Sequence, residues 1–143
     1  MKHDDASWHA GGEFPADLAA SAGATHIGMF VAWAALNGLA GSVHTEEFPE
    51  PLEALRRREI TPGQFLQQAC DGKFTDEDLS VEGNRFAEAY YPSADDRWHY
   101  IADYAATLFR GEPSLYHVAD TWENYDCLVP VLQRRFREWQ TKV

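Results

Sequence analysis

The sequence predicts a mainly α-helical fold, a compact single-domain irregular bundle with a long irregular N-terminal segment. Three observations predict it. Apolar residues recur at three- and four-residue steps in several stretches, which is the period of a helix with one buried face. One stretch, THIGMFVAWAALNGLA, is apolar on nearly every side and so belongs at the centre of the core. The chain of 143 residues is 45% hydrophobic and 13% aromatic, enough for one sizeable core without a metal or disulfide. Residues 1–143 are therefore expected to form one domain, with 1–23 as an N-terminal strap and 24–143 as the helical core.

The strap is expected to lack regular structure, because Gly11, Gly12, Pro15 and Gly23 interrupt it. Within it, Trp8 and Phe14 are expected to dock between helices, bent apart at Gly11-Gly12. The central helix is predicted over Thr25 to Ala40, with Thr25 as cap and Gly41 as stop. A second helix runs from Pro49 to Arg58, with Leu52 and Leu55 inward. Thr61-Pro62 reads as a cap followed by proline in the first turn, opening a helix to Cys70. DGKFTDED breaks the chain, and a further helix covers Val81 to Tyr91 before Pro92. Ala94 to Phe109 is predicted helical, with Trp98, Ile101, Ala105 and Leu108 on its stripe. Asp120 and Glu123 resemble a capping box. The last helix is expected over Leu128 to Gln140, with Pro130 in its first turn, since a mid-helix proline loses a hydrogen bond and clashes.

Charge narrows the functional classes. The net charge is −11, and residues 71–126 hold thirteen acids against four bases, while the last seventeen residues are net +3. Direct nucleic-acid binding is excluded on this balance, because phosphate neutralisation needs Lys and Arg. No basic-then-apolar leader is seen, and the apolar run Ile27–Leu36 is about ten residues, short of the roughly twenty that span a bilayer. Cys70 and Cys127 read as reduced thiols, so a cytoplasmic location is expected.

The chemical motifs are sparse. Asp71 to Glu82 has the length and the end residues of a calcium-binding loop, but Lys73 takes a ligand position and Asp76 stands where the sharp turn needs glycine. No phosphate-cradling loop or nucleophile elbow is present. Asp95, His99 and Asp103 are spaced to line one helix face, as a metal set or as a solvated face. His117 precedes a helix start beside Asp120. In the strap, Asp5 and His9 are close enough to share a groove. His26 reads as a satisfied, partly buried histidine. A catalytic set, if the chain is an enzyme, is drawn from His9, His99, His117, Asp5, Asp103 and Asp120; no metal and no cofactor are expected.

DDASWH at Asp4–His9, GGEFP at Gly11–Pro15, GATHIGMF at Gly23–Phe30, KFTDEDL at Lys73–Leu79, SLYHVADTW at Ser114–Trp122 and RRF at Arg134–Phe136 span nearly the whole chain. On these the chain resembles a family of small bacterial cytosolic proteins of unknown function, a resemblance that implies no chemistry. The leading expectation is a non-catalytic protein-binding domain, of the immunity type that neutralises a toxin. A basic partner would meet an acidic, aromatic surface made by Asp76, Glu77, Asp78, Asp95, Asp96 and Trp98. The alternative is a small enzyme or metal-binding protein built on a His/Asp cluster.

Overall fold

Helix α2, Thr25–Leu36, runs through the middle of the molecule with every residue from Thr25 to Ala35 buried. The computed structural model that shows this describes residues 1–11, 14–92 and 98–142. Around α2 lie α1 (Ala6–Ala10), α3 (Glu50–Arg56), α4 (Pro62–Cys70), α5 (Val81–Tyr90), α6 (Tyr100–Leu108) and α7 (Trp122–Lys142). The mainly helical class is thus observed. One small antiparallel ribbon joins strand β1, Lys2–Asp5, to β2, Lys73–Thr75. None of the helices in the described residues is long and apolar enough to cross a membrane.

Two close approaches set the bundle. Gly28 of α2 faces the start of α4, where a Cβ would stand 2.5 Å from the Pro62 carbonyl oxygen. Only a glycine lets the two backbones meet there. Aromatic rings fill the other side of α2: Phe30 and Trp33 pack with Phe86, and Phe136 of α7 closes on both Trp33 and Phe86. Aromatic pairs at these separations add to simple area burial.

The N-terminal segment differs from expectation. Residues 2–10 are regular, as β1 followed directly by α1, and a 3₁₀ turn covers Ala20–Ala24. Asp5 causes the switch: its carboxylate accepts from the Ser7 amide and hydroxyl and so caps α1. The strand forms because β2 supplies its ladder, Asp4 pairing with Phe74 and Asp5 with Lys73. Phe14 does pack inward, half-buried, with its ring 4.9 Å from Tyr116 of the 3₁₀ turn Leu115–His117. Trp8 does not; it is 57% exposed, with the Lys2 ammonium over its ring. Gly12 lies outside the described residues.

Other boundaries shift for local reasons. Helix α2 stops at Leu36, because Asn37 leaves the helical region and Gly38 has a φ of 79°. KFT of the DGKFTDED break is strand β2, and Thr75 caps a short 3₁₀ turn over Asp76–Asp78. Helix α4 has the predicted limits, with a full Thr61/Gln64 capping box. Helix α6 starts at Tyr100 after His99, and residues 94–97 of the predicted helix lie outside the described residues. Helix α7 begins at Trp122, so Pro130 sits inside it rather than in its first turn. The helix tolerates it because Pro130 is exposed, while Tyr125, Leu128 and Leu132 bury the opposite stripe. Asp120 is not the cap of α7; the Asn124 amide donates to Thr121 Oγ1 there.

Candidate functional site

A cluster of polar side chains lies where β1 and α1 close over the start of α2. Asp4 ends up inside because the strand turns at Asp5, and it is only 7% exposed. One turn later His9 comes back beside it, with Nε2 2.8 Å from Asp4 Oδ1. Gly23 permits this closure: a Cβ there would press to 3.0 Å from the Ala6 carbonyl and 3.4 Å from His9 Cβ. His26, one residue into α2, then meets His9 edge to face, the ring centroids 4.5 Å apart. The Tyr100 hydroxyl donates to the His26 backbone carbonyl and fixes this end of α2.

Asp4 is well supplied with donors. The Tyr91 hydroxyl donates to Oδ2 at 2.7 Å, and the Asp5 amide donates to Oδ1 at 2.8 Å. Burial pushes the Asp4 pKa up, but the hydrogen bonds from His9 and Tyr91, the His9 charge and the Asp5 amide outweigh it. The carboxyl is held below its ordinary value and stays ionised at neutral pH. On the far side of His9, Nδ1 lies 2.9 Å from the Tyr116 hydroxyl. Burial, and secondarily the Asp4 charge, raise the Tyr116 phenol above its usual range.

His26 is the unusual member. It is 4% exposed, and among the described residues neither ring nitrogen makes a hydrogen bond. Its Nε2 faces Asp4 Oδ2 at 3.7 Å, too long for one. Burial first, and the neighbouring His9 second, push its pKa down to about 4, with Asp4 opposing them. The imidazole is therefore neutral at pH 7, with a lone pair to offer. His9, His26 and Tyr116 line a cavity of about 250 Å³ whose other walls are the apolar Ile101 and Leu115. Tyr116 also borders a wider groove of about 560 Å³ that includes Thr25, Gln67, His117 and Asp120.

The residues singled out from sequence are dispersed. His9 belongs to the cluster. Asp5 is committed to capping α1 and to Lys2 Nζ at 2.8 Å. His99 caps α6, its Nδ1 accepting from the Ala102 amide. Asp103 is buried in an ion pair with Arg135, at 2.8 and 3.0 Å, and accepts from the Tyr90 hydroxyl. Asp120 reaches back to α4, where it accepts from Thr61 Oγ1 and the Gly63 amide. His117 sits in the groove, between Ser114 Oγ and Asp17 Oδ2. Sequence reasoning missed Asp4, His26, Tyr91 and Tyr116, and it described His26 as satisfied.

The residues expected to face a partner fare differently. Asp78 is buried and bonded to His44, so it is not a surface residue. Asp76 is exposed but holds the Met1 amino group at 2.9 Å. Trp98 packs edge-on against Tyr90 and donates to Glu138. Glu77 is exposed. Asp95 and Asp96 lie outside the described residues.

Residues 2–118 match the family model for a domain of unknown function, DUF7832. No curated protein and no solved structure matches the chain.

Proposed function

We propose that this chain, which belongs to the DUF7832 family, binds a divalent transition-metal ion at Asp4, His9 and His26 and presents it to a small, largely apolar ligand. The observation that carries the reading is the convergence of an Asp4 oxygen and one nitrogen each of His9 and His26 within 4.8 Å of one another at the wall of a cavity.

The donor set supports it. Two imidazoles and a carboxylate suit zinc or iron(II), and three protein ligands leave positions open for water or ligand, as in catalytic centres. All three candidate ligand atoms lie within 4.8 Å of one another. Ligands about 2.1 Å from one ion stand roughly 3.3 Å apart, so sub-ångström to ångström-scale adjustments of rotatable side chains suffice. The surrounding contacts are of the kind that orient metal ligands: Tyr91 and the Asp5 amide hold the carboxylate, and the Tyr116 hydroxyl engages His9 Nδ1 at 2.9 Å, on the opposite side of the ring from Nε2. When bound, such an ion acidifies a coordinated water or polarises an oxygen of the ligand. The protein supplies the walls: Ile101 and Leu115 give the cavity its apolar side, and Tyr116 lines it next to His9.

Titration of chelator-treated protein with zinc and cobalt(II), followed by calorimetry and absorption, tests the reading. His26→Gln and Asp4→Asn should each lose one equivalent of bound ion while keeping native circular dichroism. Undiminished stoichiometry in both folded variants overturns it.

A further inference from the structure

We infer that the chain holds a second metal site, distinct from the first, in which Cys70, His44 and Asp78 take a zinc-type ion that ties three separate segments together. His44 lies in a single π-helical turn, Val43–Glu47; Cys70 is the last residue of α4; Asp78 ends the 3₁₀ turn after β2. No two of these segments are consecutive along the chain, yet their ligand atoms all lie within 4.8 Å of one another.

The geometry separates this cluster from the other chemistry that cysteine, histidine and aspartate suggest. In a nucleophilic triad the carboxylate holds one imidazole nitrogen while the other faces the nucleophile. Here both neighbours converge on the same atom: Asp78 Oδ1 is 2.8 Å and Cys70 Sγ 3.7 Å from His44 Nε2. No proton can be relayed through the ring by that arrangement. Convergence of sulfur, nitrogen and oxygen on one point is instead what a tetrahedral ion requires. With zinc–sulfur near 2.3 Å and zinc–nitrogen near 2.05 Å, those ligands stand about 3.6 Å apart.

The rest of the site fits. Asp78 Oδ2 accepts from the Thr75 amide at 2.8 Å, which fixes the carboxylate and leaves Oδ1 toward His44. The Phe65 ring packs 5.2 Å from the His44 ring and shields one side. A recess lined by Ser42, Val43, Glu47 and Glu77 lies beside the segments that carry His44 and Asp78. Ligation converts the Cys70 thiol to a thiolate, whose proton goes to solvent, and breaks the His44–Asp78 hydrogen bond, the imidazole keeping its proton on Nδ1 so that Nε2 binds the ion.

Cobalt(II) distinguishes this site from the one at Asp4, His9 and His26, which contains no sulfur. Cys127 is the other cysteine and is exposed, so the experiment uses Cys127→Ala as background. At saturating cobalt(II) this protein should show a near-ultraviolet thiolate-to-cobalt charge-transfer band. The band should survive His26→Gln and disappear in both Cys70→Ala and His44→Gln, with loss of one equivalent of ion. Absence of the band in the Cys127→Ala background, or its persistence in folded Cys70→Ala, overturns the inference. If Cys70→Ala does not fold, His44→Gln gives the same decision. Failure of the first site alone would leave the band intact.

Discussion

Asp4 and His9 are five residues apart and meet at 2.8 Å, Oδ1 to Nε2, because the chain changes from strand to helix between them. In an uninterrupted strand five residues would separate them by roughly 16 Å. The cap at Asp5 starts α1 at Ala6, and the short helix brings His9 back over the end of β1. Two adjacent acids thus divide the work: Asp5 builds the turn, and Asp4 faces the two histidines.

This arrangement predicts how stability depends on pH. Folded His26 has a pKa of about 4 against 6.5 for a free histidine, so the unfolded chain takes up the proton first. Its contribution is fully present above pH 6.5 and is lost as the pH falls toward 4. Denaturant unfolding across that window should lose on the order of 3 kcal/mol from this residue. Asp4, with a lowered carboxyl pKa, acts in the same direction at still lower pH. By NMR the His26 ring should show no titration above about pH 5, while an exposed histidine titrates near 6.5. A His26 midpoint near 6.5 would contradict the buried neutral ring.

The α2–α4 contact predicts a second outcome. Gly28→Ala places a methyl group 2.5 Å from the Pro62 carbonyl oxygen, against backbone that cannot rotate away. The substitution should cost roughly 1–3 kcal/mol or more, even though alanine is the better helix former. A lowered thermal midpoint checks it. Ala32→Gly, elsewhere on the same buried helix, serves as a control for propensity without a clash.

What was legible in the sequence, and what was not, follows from the range of each signal. Helix α4 announces itself locally, with Thr61, Pro62 and Gln64 giving both cap and first turn. The apolar run of α2 likewise names the core without reference to the rest of the chain. Strand β1 has no such signature, since its ladder partner lies some seventy residues away at Lys73–Thr75. Without that strand, nothing says which of Asp4 and Asp5 faces the two histidines. His26 is hidden for another reason: on a helix apolar all round, one histidine looks like part of the core. Tyr91 and Tyr116 reach the cluster only through the tertiary packing of α5 and the loop before α7. Trp8 misleads in the opposite sense, because its large ring invites a buried role that Lys2 and solvent fill instead.

Pro130 offers a gain of stability. It is exposed within α7, and without an N–H it cannot donate to the Asp126 carbonyl four residues earlier. Pro130→Ala restores that donor and removes the ring's clash, so stability should rise by roughly 1–3 kcal/mol. Chemical denaturation with a raised midpoint and an unchanged m-value would register it as a gain of stability.

Tyr116 provides the last prediction, and it concerns the site. Its hydroxyl lies 2.9 Å from His9 Nδ1, while its ring packs on Phe14 and His9. Tyr116→Phe keeps the ring and removes only the oxygen, so the fold and its thermal midpoint should change little. His9 then loses its hydrogen-bond partner at Nδ1, the contact that helps hold the ring with Nε2 toward Asp4. Loss of such a supporting bond weakens metal binding about 10- to 100-fold in comparable sites, and a competition titration with a chromogenic chelator should show a drop of that size. The cobalt(II) charge-transfer band assigned to Cys70 should be untouched, because that ligand set lies apart from Tyr116. A variant with full affinity would mean that His9 is oriented by Asp4 alone, and that the tyrosine serves the cavity wall rather than the ion.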